Sequence, residues 1–280
     1  MDGFPSGGFM FHVNFPSPEW DAQMPPAVPL WPDLVPQRIQ WRWAEYERMC
    51  RKAQRVDDDR VPYLSNVQSP MDIVALIWDK ADLFAAMIDT PDAVSALAEK
   101  VRALLVAFFD EWFRRYGTTF VAHYPDYVMN GGITMSVDEV GAVSDELFRT
   151  FFRDELSALS KHFGGIGIHC CADARHQWGN FRDLPGLKLI NHNLPPTRQA
   201  QEYLPDALRF YGTKVAQMPI GWTPDGPPES WPAQFPEGSR VVFEVQAEDM
   251  DRAAAIAERL QGVREAWKRN SRSIIDHAVA

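Results

Sequence analysis

From residue 119 onward, short apolar runs alternate with amphipathic stretches, and this alternation limits the fold more than any other feature of the chain. Thr119–Ala122, 165–171, Leu187–His192, Lys214–Met218 and Arg240–Val245 read as strands. Asp145–His162, a segment near 197–211 and Met250–Gln261 repeat apolar residues at helical spacing. Strands that alternate with helices build a parallel sheet, because parallel neighbours need a crossover connection. With this many repeats, the expected fold is α/β, a (β/α)8 barrel of the TIM type rather than an open doubly wound sheet. No glycine-rich dinucleotide or phosphate loop follows any of these strands, which also weighs against the open sheet.

The region before residue 119 is helical in character. Ser69-Pro70-Met71-Asp72 is a helix start: a cap, proline at the first position and an acid three residues on. Ile73, Leu76, Ile77, Leu83, Phe84 and Met87 follow at helical spacing. Thr90-Pro91-Asp92 opens a second helix, with Val94, Leu97, Val101, Leu104, Leu105, Phe108 and Trp112 inward and Gly117 as its stop. Ser136-Val137-Asp138-Glu139 has the form of another capping box. Residues 1–36 contain eight prolines and read as an extended arm with one strand at Phe9–Val13, while residues 37–55 read as a helix. The expected division is a proline-rich arm and helix over 1–59 and a barrel over 60–280. Few strand signals precede residue 66, so the barrel is expected to be incomplete at its N-terminal strands. The exposed edges of a shortened barrel need cover, from the arm or from a second copy of the chain in a homodimer.

Charge and composition exclude some partners. A net charge of −10 argues against nucleic acid or an anionic membrane surface. Three cysteines in 280 residues make no disulfide framework, so a reducing cytoplasm is the expected location. No run approaches the ~18 apolar residues of a membrane span.

The candidate chemistry lies at strand ends, where a barrel of this type holds its active site. The run Ile166 to Ile168 leads into His169, Cys170 and Cys171. Side chains alternate along a strand, so His169 and Cys171 share one face and Cys170 takes the other. An imidazole and a thiolate so placed can hold zinc, with Cys170 a small core residue. A catalytic zinc needs a third protein ligand, from Glu244, His192 or His123. Glu244 is preferred, since a carboxylate on the last strand could reach across the barrel mouth. The 119 strand leads into His123, Tyr124, Asp126 and Tyr127, which are the catalytic candidates. His176 and Trp178 follow the cysteine pair, and Asn191, His192 and Asn193 end the 187 strand; these five are read as substrate-binding, with His176 and His192 supporting rather than catalytic.

At these residues the chain resembles the uroporphyrinogen decarboxylase superfamily. The resemblance runs from about residue 66 to 262. It rests on Gln68-Ser69-Pro70-Met71-Asp72, the helix after Thr90-Pro91-Asp92, the helix start Ser144-Asp145-Glu146, and Ile168-His169-Cys170-Cys171 followed by Ala172-Asp173. The superfamily joins tetrapyrrole decarboxylases to zinc-dependent methyltransferases that pass methyl groups from corrinoid proteins to thiols. It implies a TIM barrel with its pocket at the strand C-termini. His169 and Cys171 match the His-x-Cys zinc pair of the methyltransferase branch, whose further, distant cysteine has no counterpart here. The decarboxylase branch grips substrate carboxylates with an arginine-rich N-terminal loop, which is absent; Asp126 and Tyr127 would match its central Asp and Tyr. The expectation is therefore an enzyme: zinc-assisted methyl transfer from a corrinoid protein to a thiol. The alternatives are decarboxylation of uroporphyrinogen or a related polycarboxylate in porphyrin biosynthesis, and a catalytically silent ligand-binding barrel.

Overall fold

The computed structural model describes residues 8–14, 63–64, 67–122, 127–195, 198, 200–236, 239–249 and 251–263. The expected helix over 37–55 and most of the proline-rich arm lie outside them. Among the described residues, three helices precede the repeating part of the chain: α1 (Pro70–Ile77), α2 (Lys80–Asp89) and α3 (Pro91–Tyr116). Ser69 caps α1 as its sequence predicts, its hydroxyl accepting the N–H of Asp72 at 3.2 Å. The apolar repeat does not run on into a single helix, because the Asp79 carboxylate accepts the N–H groups of Ala81 and Asp82 and restarts the chain as α2. That break leaves Leu76 and Ile77 exposed rather than inward. In α3 the residues Val94, Ala98, Val101, Leu105, Phe109 and Trp112 are buried at helical spacing, while Leu104 and Phe108, expected inward, are exposed. Gly117 ends α3 at φ 81, a left-handed conformation that favours glycine.

The strands form two sheets. β1 (Gly8–Asn14), β5 (Ile133–Ser136), β6 (Ile166–Cys170), β7 (Leu187–His192), β8 (Ala216–Pro219) and β9 (Arg240–Gln246) form a six-stranded sheet in the order β1-β9-β8-β7-β6-β5. Every pairing in it is parallel. From β5 to β9 the order advances in one direction without reversal, and among the described strands the first, β1, lies beside the last, β9. Beyond β5, Gln68 makes an isolated parallel bridge to Ser136. Helices α4 (Asp145–Phe151) and α5 (Arg153–Phe163) follow β5, α6 (Trp178–Arg182) follows β6, α7 (Ala200–Tyr211) follows β7 and α8 (251–263) follows β9, while β8 is followed by two 3-10 turns, Pro228–Ser230 and Pro232–Gln234. Helix α4 starts at Ser144, whose hydroxyl accepts the N–H of Leu147, and the stretch expected as one helix over 145–162 breaks at Phe152 into α4 and α5. Among the described residues, no helix is long and apolar enough to cross a membrane.

The second sheet corrects the reading of the 119 strand. β2 (Tyr63–Leu64), β3 (Thr119–Ala122) and β4 (Tyr127–Asn130) form a three-stranded sheet in which β3 and β4 are antiparallel. β3 is therefore one arm of a hairpin, not a member of the parallel sheet. The strand that does join the parallel sheet, β5, is buried at all four positions, so no polar–apolar alternation marks it in the sequence. It enters through Gly131 and Gly132, both at positive φ. A Cβ on Gly132 would meet the carbonyl oxygen of Gly165 at 2.9 Å, so only glycine lets the turn into β5 lie against the turn into β6.

The two faces of the parallel sheet carry different residues. Ile168, Cys170, Ile190, His192, Gln217, Val241 and Phe243 fall on the face beneath the helices, where Leu208 and Trp231 pack with Val241 and Phe243. The register Ser136↔His169↔Asn191↔Met218 puts a continuous row of buried side chains on the opposite face, across four adjacent strands.

Candidate metal centre

The row on that opposite face ends in a cluster of groups that could hold a metal ion. Ligand atoms of Asp138, His169 and Cys171 lie within 4.8 Å of one another at the C-terminal ends of β5 and β6. The sharing of one side by His169 and Cys171 follows from strand alternation, as does the burial of Cys170 on the other.

His169 and Asp138 are held by their neighbours. The Asn191 amide nitrogen donates to the carbonyl of Met218 at 2.8 Å, which orients its oxygen toward His169 Nδ1. Nδ1 therefore carries the proton and Nε2 the lone pair in the neutral ring, the arrangement common to metal-ligating histidines. The Asp138 carboxylate accepts the Cys171 backbone N–H on Oδ1 at 2.7 Å and the Ser136 hydroxyl on Oδ2 at 2.7 Å. Each oxygen keeps a second lone pair for a cation. The Val137 N–H donates to the His169 carbonyl at 2.8 Å, stitching the turn after β5 to the end of β6.

The electrostatics favour a cation. Burial, then the hydrogen bond to Asp138 and its charge, push the Cys171 thiol up to about 12. Without a cation the thiol thus stays protonated beside the carboxylate; a divalent ion between them reverses that preference. Bonds of ~2.0–2.3 Å around a tetrahedral zinc place its ligand atoms about 3.5 Å apart. The three groups reach that spacing by closing up slightly, so the residues present fit a metal ion.

Asp138 was not among the expected ligands. Its segment reads as a capping box, but Ser136 ends β5, its hydroxyl goes to Asp138, and the short 3-10 turn Glu139–Ala142 has no side-chain cap. A polar residue just past a short apolar run was the available signal, hidden because β5 itself was not recognised. Glu244, the expected third ligand, is on β9, three strand spacings or about 14 Å along the sheet from β6. Its side chain lies outside the described residues.

The other expected site residues are scattered. His123, Tyr124 and Asp126 lie outside the described residues, and Tyr127 opens β4 of the hairpin sheet rather than ending a parallel strand. Asn191 is in the site as the support of His169. Asn193 lies one residue past β7, where its N–H donates to the Cys170 carbonyl at 3.2 Å. His176 is exposed on a short 3-10 turn and donates to the Val143 carbonyl at 3.0 Å. Trp178 and His192 lie on the helix-covered face, with ring centroids 6.1 Å apart and Tyr211 5.1 Å from His192. Burial there drives the His192 imidazole down to about 3.

Behind the centre is a carboxylate that sequence reasoning treated only as a helix cap. Asp72 is buried; its Oδ1 accepts the N–H groups of Asp138 and Glu139, both at 2.8 Å, and its Oδ2 accepts the Ser69 hydroxyl. Burial raises it to about 6, against the lowering effect of those hydrogen bonds.

No family model and no curated protein matches this chain.

Proposed function

We propose that the chain is a metal-assisted enzyme of the uroporphyrinogen decarboxylase superfamily, and that it transfers a methyl group from a corrinoid donor to a thiol. The reading is carried by the convergence of Asp138, His169 and Cys171 at the C-terminal ends of two adjacent parallel strands. Ligands from open and closed α/β sheets alike bind at such strand ends. A TIM-type barrel is supported by the one-directional strand order and by the pairing of β1 with β9. A doubly wound sheet would reverse its order at a switch point.

Asp138, His169 and Cys171 would hold the ion, and three protein ligands are the number that catalytic rather than structural zinc sites use. Zinc bound there lowers the pKa of a substrate thiol and so supplies a thiolate near neutral pH. The chain's own groups keep the site in order. Asn191 fixes the tautomer of His169, Ser136 and the Cys171 N–H fix the Asp138 carboxylate, and the buried row excludes water from beneath. The substrate sulfur attacks the donor's methyl carbon, the carbon–cobalt bond breaks with its electron pair left on cobalt, and the thiol proton passes to solvent. Asp138 takes the part of the distant cysteine that this chain lacks.

The decarboxylase reading has less support, since β3, which leads toward Asp126 and Tyr127, belongs to the hairpin sheet. The test is to load the protein with zinc and supply methylcobalamin with a panel of small thiols. Zinc-dependent loss of methylcobalamin and formation of the methyl thioether, both absent in Cys171→Ser, is the expected result. No transfer to any thiol by the zinc-loaded protein would overturn this function.

A further inference from the structure

Resting on the metal site just proposed, we infer that Asp72 is a positioning residue that sets the place of Asp138 as a ligand. Asp72 is the third residue of α1, where a capping-box acid would normally accept the N–H of the cap residue. Here the Ser69 N–H is already given to the Ser136 carbonyl at 2.8 Å. The Asp72 carboxylate instead leaves its own helix and grips the next turn. One of its oxygens takes the N–H groups of both Asp138 and Glu139, 66 and 67 residues further along the chain. The same turn is tied to Cys171 by the Asp138 carboxylate and to His169 by the Val137 N–H. The segment before α1 is anchored as well, because the Ser136 N–H donates to the Val67 carbonyl at 2.9 Å.

Asp72 is thus not one of the three groups that could hold the ion; it holds the backbone of Asp138, which is. Within α1 its carboxylate accepts the Ser69 hydroxyl, an exchange that a helix start does not require to be buried; a buried carboxylate is costly unless its hydrogen bonds are satisfied, and here most of them go to the turn that carries Asp138. Partners that orient metal ligands typically change affinity about 10- to 100-fold when removed.

The experiment measures zinc affinity by competition with a chromophoric chelator, and the visible spectrum of the cobalt(II)-substituted protein, for wild type, Asp72→Ala and Asp72→Asn. An asparagine keeps an oxygen for the two N–H groups, so Asp72→Asn is expected to retain the wild-type affinity and the tetrahedral cobalt spectrum. Asp72→Ala is expected to bind about 10- to 100-fold more weakly, with the tetrahedral bands reduced. If Asp72→Ala does not fold, Asp72→Ser takes its place, since a serine hydroxyl is too short to reach both donors. Unchanged affinity and spectrum in the folded Ala or Ser variant overturns the inference, as does an Asn variant as weak as Ala. Absence of metal from the wild type overturns instead the site on which the inference rests.

Discussion

Cys170 and Cys171 are neighbours in the chain, and so are the two sides of the sheet they serve, yet the two sides have little else in common. On one, Cys171 stands beside His169 and Asp138, of which His169 is held by Asn191, and Asp138 by the Ser136 hydroxyl and the Cys171 N–H. On the other, Cys170 and His192 lie at the same level of β6 and β7, buried beneath Trp178 and Tyr211. The His192 Nε2 has no hydrogen-bond partner there. The same residue types appear on both sides. Their partners decide which of them can do chemistry, and strand alternation decides the partners.

The sharpest way to break this comparison is to change one thiol at a time. Cys171→Ser is expected to weaken zinc binding by more than about 100-fold, beyond the range for outer-shell partners, whereas Cys170→Ser leaves it unchanged. Cys170→Ser should instead cost about 1–3 kcal/mol of stability, read by urea denaturation, because it leaves a hydroxyl among apolar side chains. Equal loss of zinc in both variants would refute the two-faced sheet. Asn191→Ala comes next. Removing the acceptor of His169 Nδ1 is expected to cost about 10-fold or more in zinc affinity by equilibrium competition; wild-type affinity would mean that the His169 ring is oriented by something else.

His192 extends the comparison to pH. Burial holds its folded-state value near 3, below the ordinary 6.5 of the unfolded chain. The unfolded state therefore binds the extra proton between these values, and stability falls as pH drops below about 6.5. The penalty from this one group reaches about 2 kcal/mol at pH 5. Asp72 acts with the opposite sign: its folded value is raised, so it lowers stability as pH rises from about 4 to 6. Only the difference between wild type and His192→Phe isolates the histidine. Denaturation at pH 7 and pH 5 should show wild type losing about 2 kcal/mol more than the variant; parallel losses would show that His192 is not held neutral. The smallest effect is expected at the rim. Lys80 meets Glu139 at 2.6 Å, but its side chain is 58% exposed. Lys80→Ala should change stability by less than about 1 kcal/mol and leave zinc affinity alone.

Much of this was legible in the sequence, and the misses share a cause. The alternation of apolar runs and helical stretches gave the parallel sheet, and the caps at Ser69 and Ser144 gave two helix starts. The placement of His169 and Cys171 together needed only the two-residue period of a strand. What failed was the identity of short strands. All four residues of β5 are buried, so no polar–apolar alternation outweighs a Ser-Val-Asp-Glu that resembles a cap; Asp138 is missed for that reason, and β3, also four residues long, reads as a member of the parallel sheet. Strand pairing is decided by contacts far apart in the chain, here by a glycine pair that lets two turns touch, and local pattern does not report it. The role of Asp72 was hidden in the same way, because its two backbone donors lie in another segment.

Metal content tests the central claim most directly. Elemental mass spectrometry of the purified protein, with Asp138→Ala prepared alongside, should find about one zinc per chain in wild type and almost none in the variant, as a site of three protein ligands requires. Wild-type protein without metal, or an Asp138→Ala variant that keeps it, would contradict the account of this site.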